Sequence, residues 1–212
     1  MSSQVRGGTR WKRFALVMVP AVAATGAIGV AMAQGALAAS FSVSGQSFKV
    51  TTDQLKGTGF SQYGGVDTGY DLKGNKAAHA VAVSGFKSAT ITNMCQSVVT
   101  PDVPFIGTVT LVLKAGQNAS KPVTAKDLYL DVEDLDADAV FTNIDIGVAA
   151  KDATKGPAMK PGEKANPFGF SQQAEKVTLS HVKQKAWATT AGTFKLSGLS
   201  MRLKTGDGNE CY

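Results

Sequence analysis

Apolar and polar residues alternate along most of the chain after residue 40, and this period of two limits the fold more than any other feature does. Leu128, Leu130 and Val132 alternate with Asp127, Tyr129 and Asp131, and similar alternation runs through residues 81–91, 109–113, 140–148 and 199–203. Alternation over about four to eight residues is typical of strands with one buried face. Outside the N-terminal region, no window shows the stripe of a helix. The sequence therefore predicts an all-β domain.

Turn-forming residues separate the predicted strands. Glycine is frequent in residues 57–74, and residues 155–169 contain three prolines and three glycines, which predicts a turn-rich stretch and a long surface loop. This spacing indicates an antiparallel sandwich or barrel. Related phrases at residues 89–94, 141–146, 177–182 and 194–199 leave a β-solenoid-like fold as the alternative. Their separations are irregular, whereas a solenoid needs a fixed period.

The N-terminus has the three parts of a secretory signal. Residues 1–13 hold four basic residues and no acid, residues 14–33 are apolar, and a small-x-small site follows at Ala36-Leu37-Ala38. We expect cleavage after Ala38, which divides the chain into a helical signal peptide, residues 1–38, and a single secreted β-domain, residues 39–212. An uncleaved membrane anchor is the alternative, disfavoured by Pro20, Gly26 and Gly29. The predicted location is extracellular or at the cell envelope, with a mature domain that does not span the membrane.

Charge and cysteine content fit an exported protein. The chain has 22 basic and 16 acidic residues, and loss of the four basic residues of the signal leaves a net charge of +2. A nearly neutral domain gives no reason to expect a nucleic-acid partner. Cys95 and Cys211 are the only cysteines. An oxidising compartment favours their pairing in a disulfide, with two free buried thiols as the alternative.

Candidate catalytic residues are few. Ser61 in Gly59-Phe60-Ser61-Gln62 matches the first half of the Gly-x-Ser-x-Gly nucleophile motif, and residues 169–172 repeat the phrase around Ser171. The mature chain has two histidines, His79 and His181. His79 follows the glycine-rich stretch with its acids, so Ser61, His79 and Asp71 are the candidate triad. Loop-edge serines and an ordinary surface histidine are the alternative.

No metal or cofactor is expected from the sequence. Asp134, Asp136 and Asp138 alternate like the start of a calcium loop, but the glycine and the later glutamate of that loop are absent. A solvated turn between strands is therefore favoured for residues 131–138. No His/Cys cluster has the spacing of a zinc site, and no glycine motif is suited to phosphate.

The mature region resembles a known family over nearly its whole length. The similar stretches are SFSVSGQSFKVTTDQLKGTGFSQYGG (40–65), ITNMCQSVVTPDVP (91–104), LKAG (113–116), GFSQQ (169–173), KQKAWATTAGTFKLSGL (183–199) and the terminal NECY. They resemble small secreted actinobacterial proteins that are labelled cholesterol esterase. The resemblance implies hydrolysis of sterol or other lipid esters outside the cell. The alternative is a non-catalytic domain that binds lipid or a cell-envelope component, with residues 57–74 as the first place to look for a ligand.

Overall fold

The computed structural model describes residues 43–160 and 162–212, which belong to one compact unit. The expected signal peptide, residues 1–38, lies outside the described residues. Within the described part of the chain, nine strands form one sheet and the only helical segment is a 3₁₀ turn at Ala150–Asp152. The prediction of an all-β fold is confirmed. None of the described helical residues forms a helix long and apolar enough to cross a membrane.

The strands differ greatly in length. In chain order they are β1 (Phe48–Tyr70), β2 (Lys76–Thr92), β3 (Met94–Val103), β4 (Gly107–Ala115), β5 (Val123–Ala149), β6 (Lys164–Ala165), β7 (Phe170–Thr190), β8 (Thr193–Lys195) and β9 (Ser200–Thr205).

Four long strands close a barrel. β1 pairs with β2, β2 with β5, β5 with β7 and β7 with β1, and each of these pairs is antiparallel. Because the ring returns to its first strand, the sheet is a closed barrel, and the sandwich and the solenoid are excluded. β3, β4 and β9 extend the sheet from β1.

The alternation seen in the sequence places one face of each long strand inside the barrel. Phe60, Phe86, Leu128 and Val177 are each no more than 3% exposed and belong to the main hydrophobic core. Residues that are opposite each other on neighbouring strands share a face of the sheet. The register Phe60↔Phe86 and Phe86↔Leu128 therefore builds this core from three strands.

The prediction of a turn-rich stretch at residues 57–74 is wrong for most of its length, because β1 continues to Tyr70. The glycines serve the barrel rather than turns. A Cβ on Gly57 would lie 2.4 Å from Cδ1 of Phe86, so only glycine lets the two strands approach at this ring. Gly59 has a φ of +62°, a left-handed backbone conformation that glycine adopts without steric cost.

The acidic run at residues 131–138 is also not a turn, since it lies within β5. Asp134 and Asp136 are opposite Lys185 and Lys183 of β7. Opposite charges on facing strands stabilise the pairing modestly. The alternation of these acids is therefore that of a strand with one solvated face.

The loop predicted at residues 155–169 is present, with the two-residue β6 inside it. It covers the outer face of β1 and β5. The Ser61 hydroxyl donates to the carbonyl oxygen of Pro157 at 2.8 Å, and the Tyr129 hydroxyl donates to that of Ala158 at 2.8 Å.

The C-terminal segment is tied to β3. Cys95 and Cys211 are at disulfide distance, with Sγ atoms 2.03 Å apart and Cα atoms 5.9 Å apart, as the cysteine content predicts. The amide of Cys211 also donates to Ser97 Oγ at 3.0 Å, and Lys49 Nζ lies 2.7 Å from Glu210 Oε2.

Candidate functional site

The hydrogen-bonded wall of the barrel is interrupted along β5. β5 pairs with β2 from Val123↔Ile91 to Val132↔Ala82, and the pairing ends there. β5 continues for another 17 residues, to Ala149, on β7 alone. Among the described residues, this part of β5 has no sheet partner on the side that faced β2. The interior of the barrel is therefore accessible beside residues 133–149.

A cavity of about 150 Å³ lies at this interruption. Phe60 lines it, with its ring centroid 5.4 Å from that of Phe86 and 5.5 Å from that of Phe141. The other apolar lining residues are Leu130, Val132, Leu135, Ala137, Ala139, Val177 and Leu179. We name this space, with its extension along β5, the barrel groove.

The apolar row of β5 continues past the cavity. Ile144 is opposite Ala174 and Ile146 is opposite Gln172, and these β7 residues are themselves opposite Phe60 and Gln62 of β1. Ile144 and Ile146 therefore share the inner face, although they are 36% and 66% exposed. Large apolar side chains that stay exposed in a contiguous row mark a surface for an apolar ligand or partner.

Four neutral polar side chains interrupt the apolar lining. Gln172 Nε2 donates to Gln62 Oε1 at 2.5 Å, and Gln62 Nε2 donates to Ser84 Oγ at 2.8 Å, so three of them satisfy one another. Gln184 is 6% exposed, and it lines both the groove and a second cavity of about 30 Å³ deeper in the barrel. Among the described residues, its amide has no hydrogen-bond partner.

A charged cluster lies on the opposite, outer face of β1 and β5. Lys160 Nζ is 2.9 and 2.8 Å from the two carboxylate oxygens of Asp131, which is 1% exposed. The Tyr63 hydroxyl donates to Glu163 Oε2 at 2.6 Å. These contacts hold the loop between β5 and β7 against the barrel.

The same cluster shifts the titration of its acids. Burial, and then the charge of Asp131, raises the pKa of Asp67 to about 6. Burial also raises the pKa of Glu163 and the pKa of Tyr63. Asp67 Oδ2 is buried and has no hydrogen-bond partner among the described residues. The cluster anchors the loop, and Asp67 and Glu163 each have one buried carboxylate oxygen without a hydrogen-bond partner among the described residues.

Two of the three candidate catalytic residues, Ser61 and His79, lie on the outer face of the β1–β2 hairpin but far apart. Ser61 is opposite Gly85, whereas His79 is opposite Asp67. The two positions are six residues apart along the strand, about 20 Å at about 3.3 Å per residue. Ser61 is 0% exposed, and its hydroxyl is engaged by the Pro157 carbonyl.

Asp71, the third candidate, and His79 form contacts with other residues. Asp71 accepts hydrogen bonds from the amides of Lys73 and Asn75 at 2.8 Å, which closes the β1–β2 turn. The hydrogen bond from the Asn75 side chain lowers the pKa of Asp71. The His79 ring stacks on Trp187 with centroids 3.4 Å apart. The structure therefore does not bring Ser61, His79 and Asp71 together.

His181 forms the one contact of base-and-orienter type among the described residues. Its Nδ1 lies 2.8 Å from Asp138 Oδ2, and the two side chains are 83% and 81% exposed. Solvent therefore surrounds this pair on the outer face of β7. No group of three or more His, Cys, Asp or Glu in the described chain could hold a metal ion.

The polar residues of the groove are absent from the sequence-based candidates. Gln62 and Gln172 end the two Gly-Phe-Ser-Gln phrases, and the structure places them opposite each other on β1 and β7. The repeated phrase was the sequence signal for these two glutamines, but it was interpreted as a partial nucleophile motif around its serines. Nothing in the sequence around Gln184 distinguishes it from a solvent-facing strand residue.

Comparison with known proteins identifies a family. A family model described as a family of unknown function (DUF6230) matches residues 44–212. No curated protein and no solved structure is significantly similar to the chain. The match covers almost all of the predicted mature domain, and the description of the family names no esterase activity. The chain belongs to this family of unknown function, DUF6230.

Proposed function

We propose that this protein is an exported, non-catalytic domain that binds the hydrocarbon chain of a lipid in the barrel groove. The observation that carries the proposal is the apolar row of β5, which lines a cavity where the barrel wall is interrupted. Transfer of apolar area out of water is favourable by about 25 cal/mol per Å². A hydrocarbon chain that covers the exposed part of this row removes apolar area of the lipid and of the protein from water, and both contributions favour binding.

The dimensions of the groove favour a linear chain over a fused ring system. The cavity of about 150 Å³ is smaller than the roughly 300–1,000 Å³ that is usual for ligand pockets. A cavity of about this size holds a benzene-sized group. An acyl chain enters such a space lengthwise and continues along Ile144 and Ile146, whereas a sterol nucleus requires the strands to separate.

Export supports a ligand from outside the cytoplasm. The N-terminal pattern predicts a cleaved secretory signal. The Cys95–Cys211 pair agrees with an oxidising compartment. The proposed ligand is therefore a lipid of the cell envelope or of the medium.

A substitution at the mouth of the groove, which is the opening beside residues 133–149 of β5, tests this function. Ala139 lines the cavity, and its neighbour Val140 points to the other face of β5 with 68% exposure. Calorimetric titration with monodecanoylglycerol, below its micelle concentration, should show saturable binding to the purified exported protein. Ala139→Trp fills the mouth and should weaken binding at least tenfold, whereas the matched Val140→Trp should leave it unchanged. No binding by the native protein, or equal losses in both variants, would contradict the proposal.

Hydrolysis of lipid esters is the second candidate, and the resemblance to proteins labelled cholesterol esterase is what favours it. The purified protein is assayed on a cholesteryl ester and on p-nitrophenyl decanoate, beside His79→Ala and His181→Ala. A binding domain should release no product above the uncatalysed rate. Turnover by the native protein that either substitution abolishes would replace the binding proposal with an esterase.

A further inference from the structure

Among the described residues that line the groove, Gln184 is the one polar side chain without a hydrogen bond to the protein. Its side chain is 6% exposed, and it lies between Val182 and Ala186, which point into the same interior. It borders the groove on one side and the deeper cavity on the other. Among the described residues the amide has no hydrogen-bond partner, and it is not sealed from the cavities that it lines, so a ligand there can form a hydrogen bond with it.

The other polar groups of the groove are already hydrogen-bonded to one another. Gln62 joins Gln172 to Ser84 through two hydrogen bonds, so these side chains already have partners. The Gln184 amide offers both a donor and an acceptor at one position along the groove. A ligand with a hydrocarbon chain and one carbonyl group satisfies its donor.

Charge restricts the ligand further. No lysine, arginine or histidine lines either cavity within the described chain. A carboxylate in the groove would lose its hydration without gaining a positive partner.

We propose that Gln184 is the polar anchor of the groove, and that the ligand is a neutral acyl ester or acyl amide whose carbonyl accepts a hydrogen bond from the Gln184 Nε2 group. Free fatty-acid anions are excluded by the same arrangement. This inference rests on the proposed lipid-binding function and adds the chemical class of the ligand.

Three ligands with the same ten-carbon chain test the anchor. Monodecanoylglycerol has the ester carbonyl, 1-O-decylglycerol has an ether in its place, and decanoate has the carboxylate. The native exported protein should bind the ester about tenfold more tightly than the ether, which corresponds to about 1.4 kcal/mol. Decanoate should bind more weakly than either of the two neutral ligands.

Substitution of the anchor should remove this preference. Gln184→Met keeps the length of the side chain without the amide, so it should bind the ester and the ether equally. Gln54→Leu is the control, because Gln54 is a β1 glutamine outside both cavities. It should keep the tenfold preference. Circular dichroism and melting temperature show whether each variant is folded.

The outcomes separate the two proposals. Equal binding of ester and ether by the native protein, or tight binding of decanoate, would overturn the anchor while the lipid-binding function stands. A native protein that binds none of the three ligands would overturn the function itself. Because the comparison of ligands uses the native protein, it stays decisive even where Gln184→Met fails to fold.

Discussion

Ser61 and Ser171 show how one residue type takes a structural role that its sequence context does not reveal. Both are 0% exposed, and both donate a hydrogen bond to a carbonyl oxygen, Ser61 to Pro157 and Ser171 to Val148. A short hydroxyl side chain satisfies a buried carbonyl at close range, which accounts for serine at both positions. The Gly-Phe-Ser-Gln phrase suggested half of a nucleophile motif, because sequence alone does not show which carbonyl lies opposite.

Asp67 makes the stability of the fold depend on pH. Its pKa in the folded protein is about 6, against an ordinary 3.8, so the folded state binds the proton more tightly than the unfolded state does. The stabilisation that protonation provides is present at low pH and is lost as the pH rises through about 6. Asp67→Asn should therefore raise the melting temperature at pH 7.5 and change it much less at pH 4.5.

A neighbouring acid serves as the control for this prediction. Hydrogen bonds from Asn75, Lys73 and Gly74 lower the pKa of Asp71, so its stabilisation is present at neutral pH and lost on acidification. Asp71→Asn should lower the melting temperature at pH 7.5. Glu163 also has a raised pKa, but it is present in both variants, so their difference reports on the substituted residue. A gain from Asp67→Asn that is equal at the two pH values would refute the assignment.

At the scale of the element, β5 explains why the groove stays open. A long strand edge without a partner invites pairing with another chain, and proteins discourage this with charges and bulges. β5 has Glu133, Asp134, Asp136 and Asp138 along the unpaired segment, and its register shifts at residues 136–138 and 146–148. These features oppose the addition of a further strand while leaving the apolar row of the inner face accessible.

The length of β1 depends on its glycines. The prediction of turns at residues 57–74 followed from glycine frequency, and it was wrong because tertiary contacts use these glycines for close approach. Gly57→Ala places a methyl group 2.4 Å from the Phe86 ring, which is 1% exposed and has little room to move. We expect a loss of about 1–3 kcal/mol in the free energy of unfolding, measured by urea denaturation.

Gly64 provides the matched control on the same strand. A Cβ at Gly64 would meet nothing within 4 Å. Gly64→Ala should therefore leave stability unchanged or raise it slightly, by up to about 1 kcal/mol, since alanine lowers the entropy of the unfolded chain. Equal effects of the two substitutions would show that backbone freedom, rather than contact with Phe86, explains the glycine at position 57.

At the scale of the whole molecule, the sequence predicted the class of the fold but not the closure of the barrel. Alternation identified the strands and cysteine content identified the pair Cys95 and Cys211, because both signals are local or depend on composition. The pairings β2–β5 and β7–β1 join segments far apart in the chain, and their registers depend on packing that no short window contains. The groove exists because the pairing of β2 with β5 ends at Ala82↔Val132. Its residues could therefore not be recognised from the sequence.

The disulfide between Cys95 and Cys211 links β3 to the C-terminal segment. Cys95 and Cys211 are 116 residues apart, and the loop that they close contains all the strands from β4 to β9. A cross-link over a loop of this size lowers the entropy of the unfolded chain, and loss of a native disulfide costs about 2–5 kcal/mol. The double substitution Cys95→Ser, Cys211→Ser should therefore lower the free energy of unfolding of the disulfide-bonded protein by about 2–5 kcal/mol.

The same variant separates stability from ligand binding. Two non-covalent contacts hold the C-terminal segment, one from Cys211 to Ser97 and one from Glu210 to Lys49. Neither Ser97 nor Lys49 lines the groove. The folded fraction of the double variant should therefore bind monodecanoylglycerol with native affinity at a temperature well below its melting point. Urea denaturation and calorimetric titration measure the two quantities on one preparation. An unchanged denaturation midpoint would show that the non-covalent contacts of Glu210 and Cys211 suffice, and weakened binding would show that the C-terminal segment supports the groove.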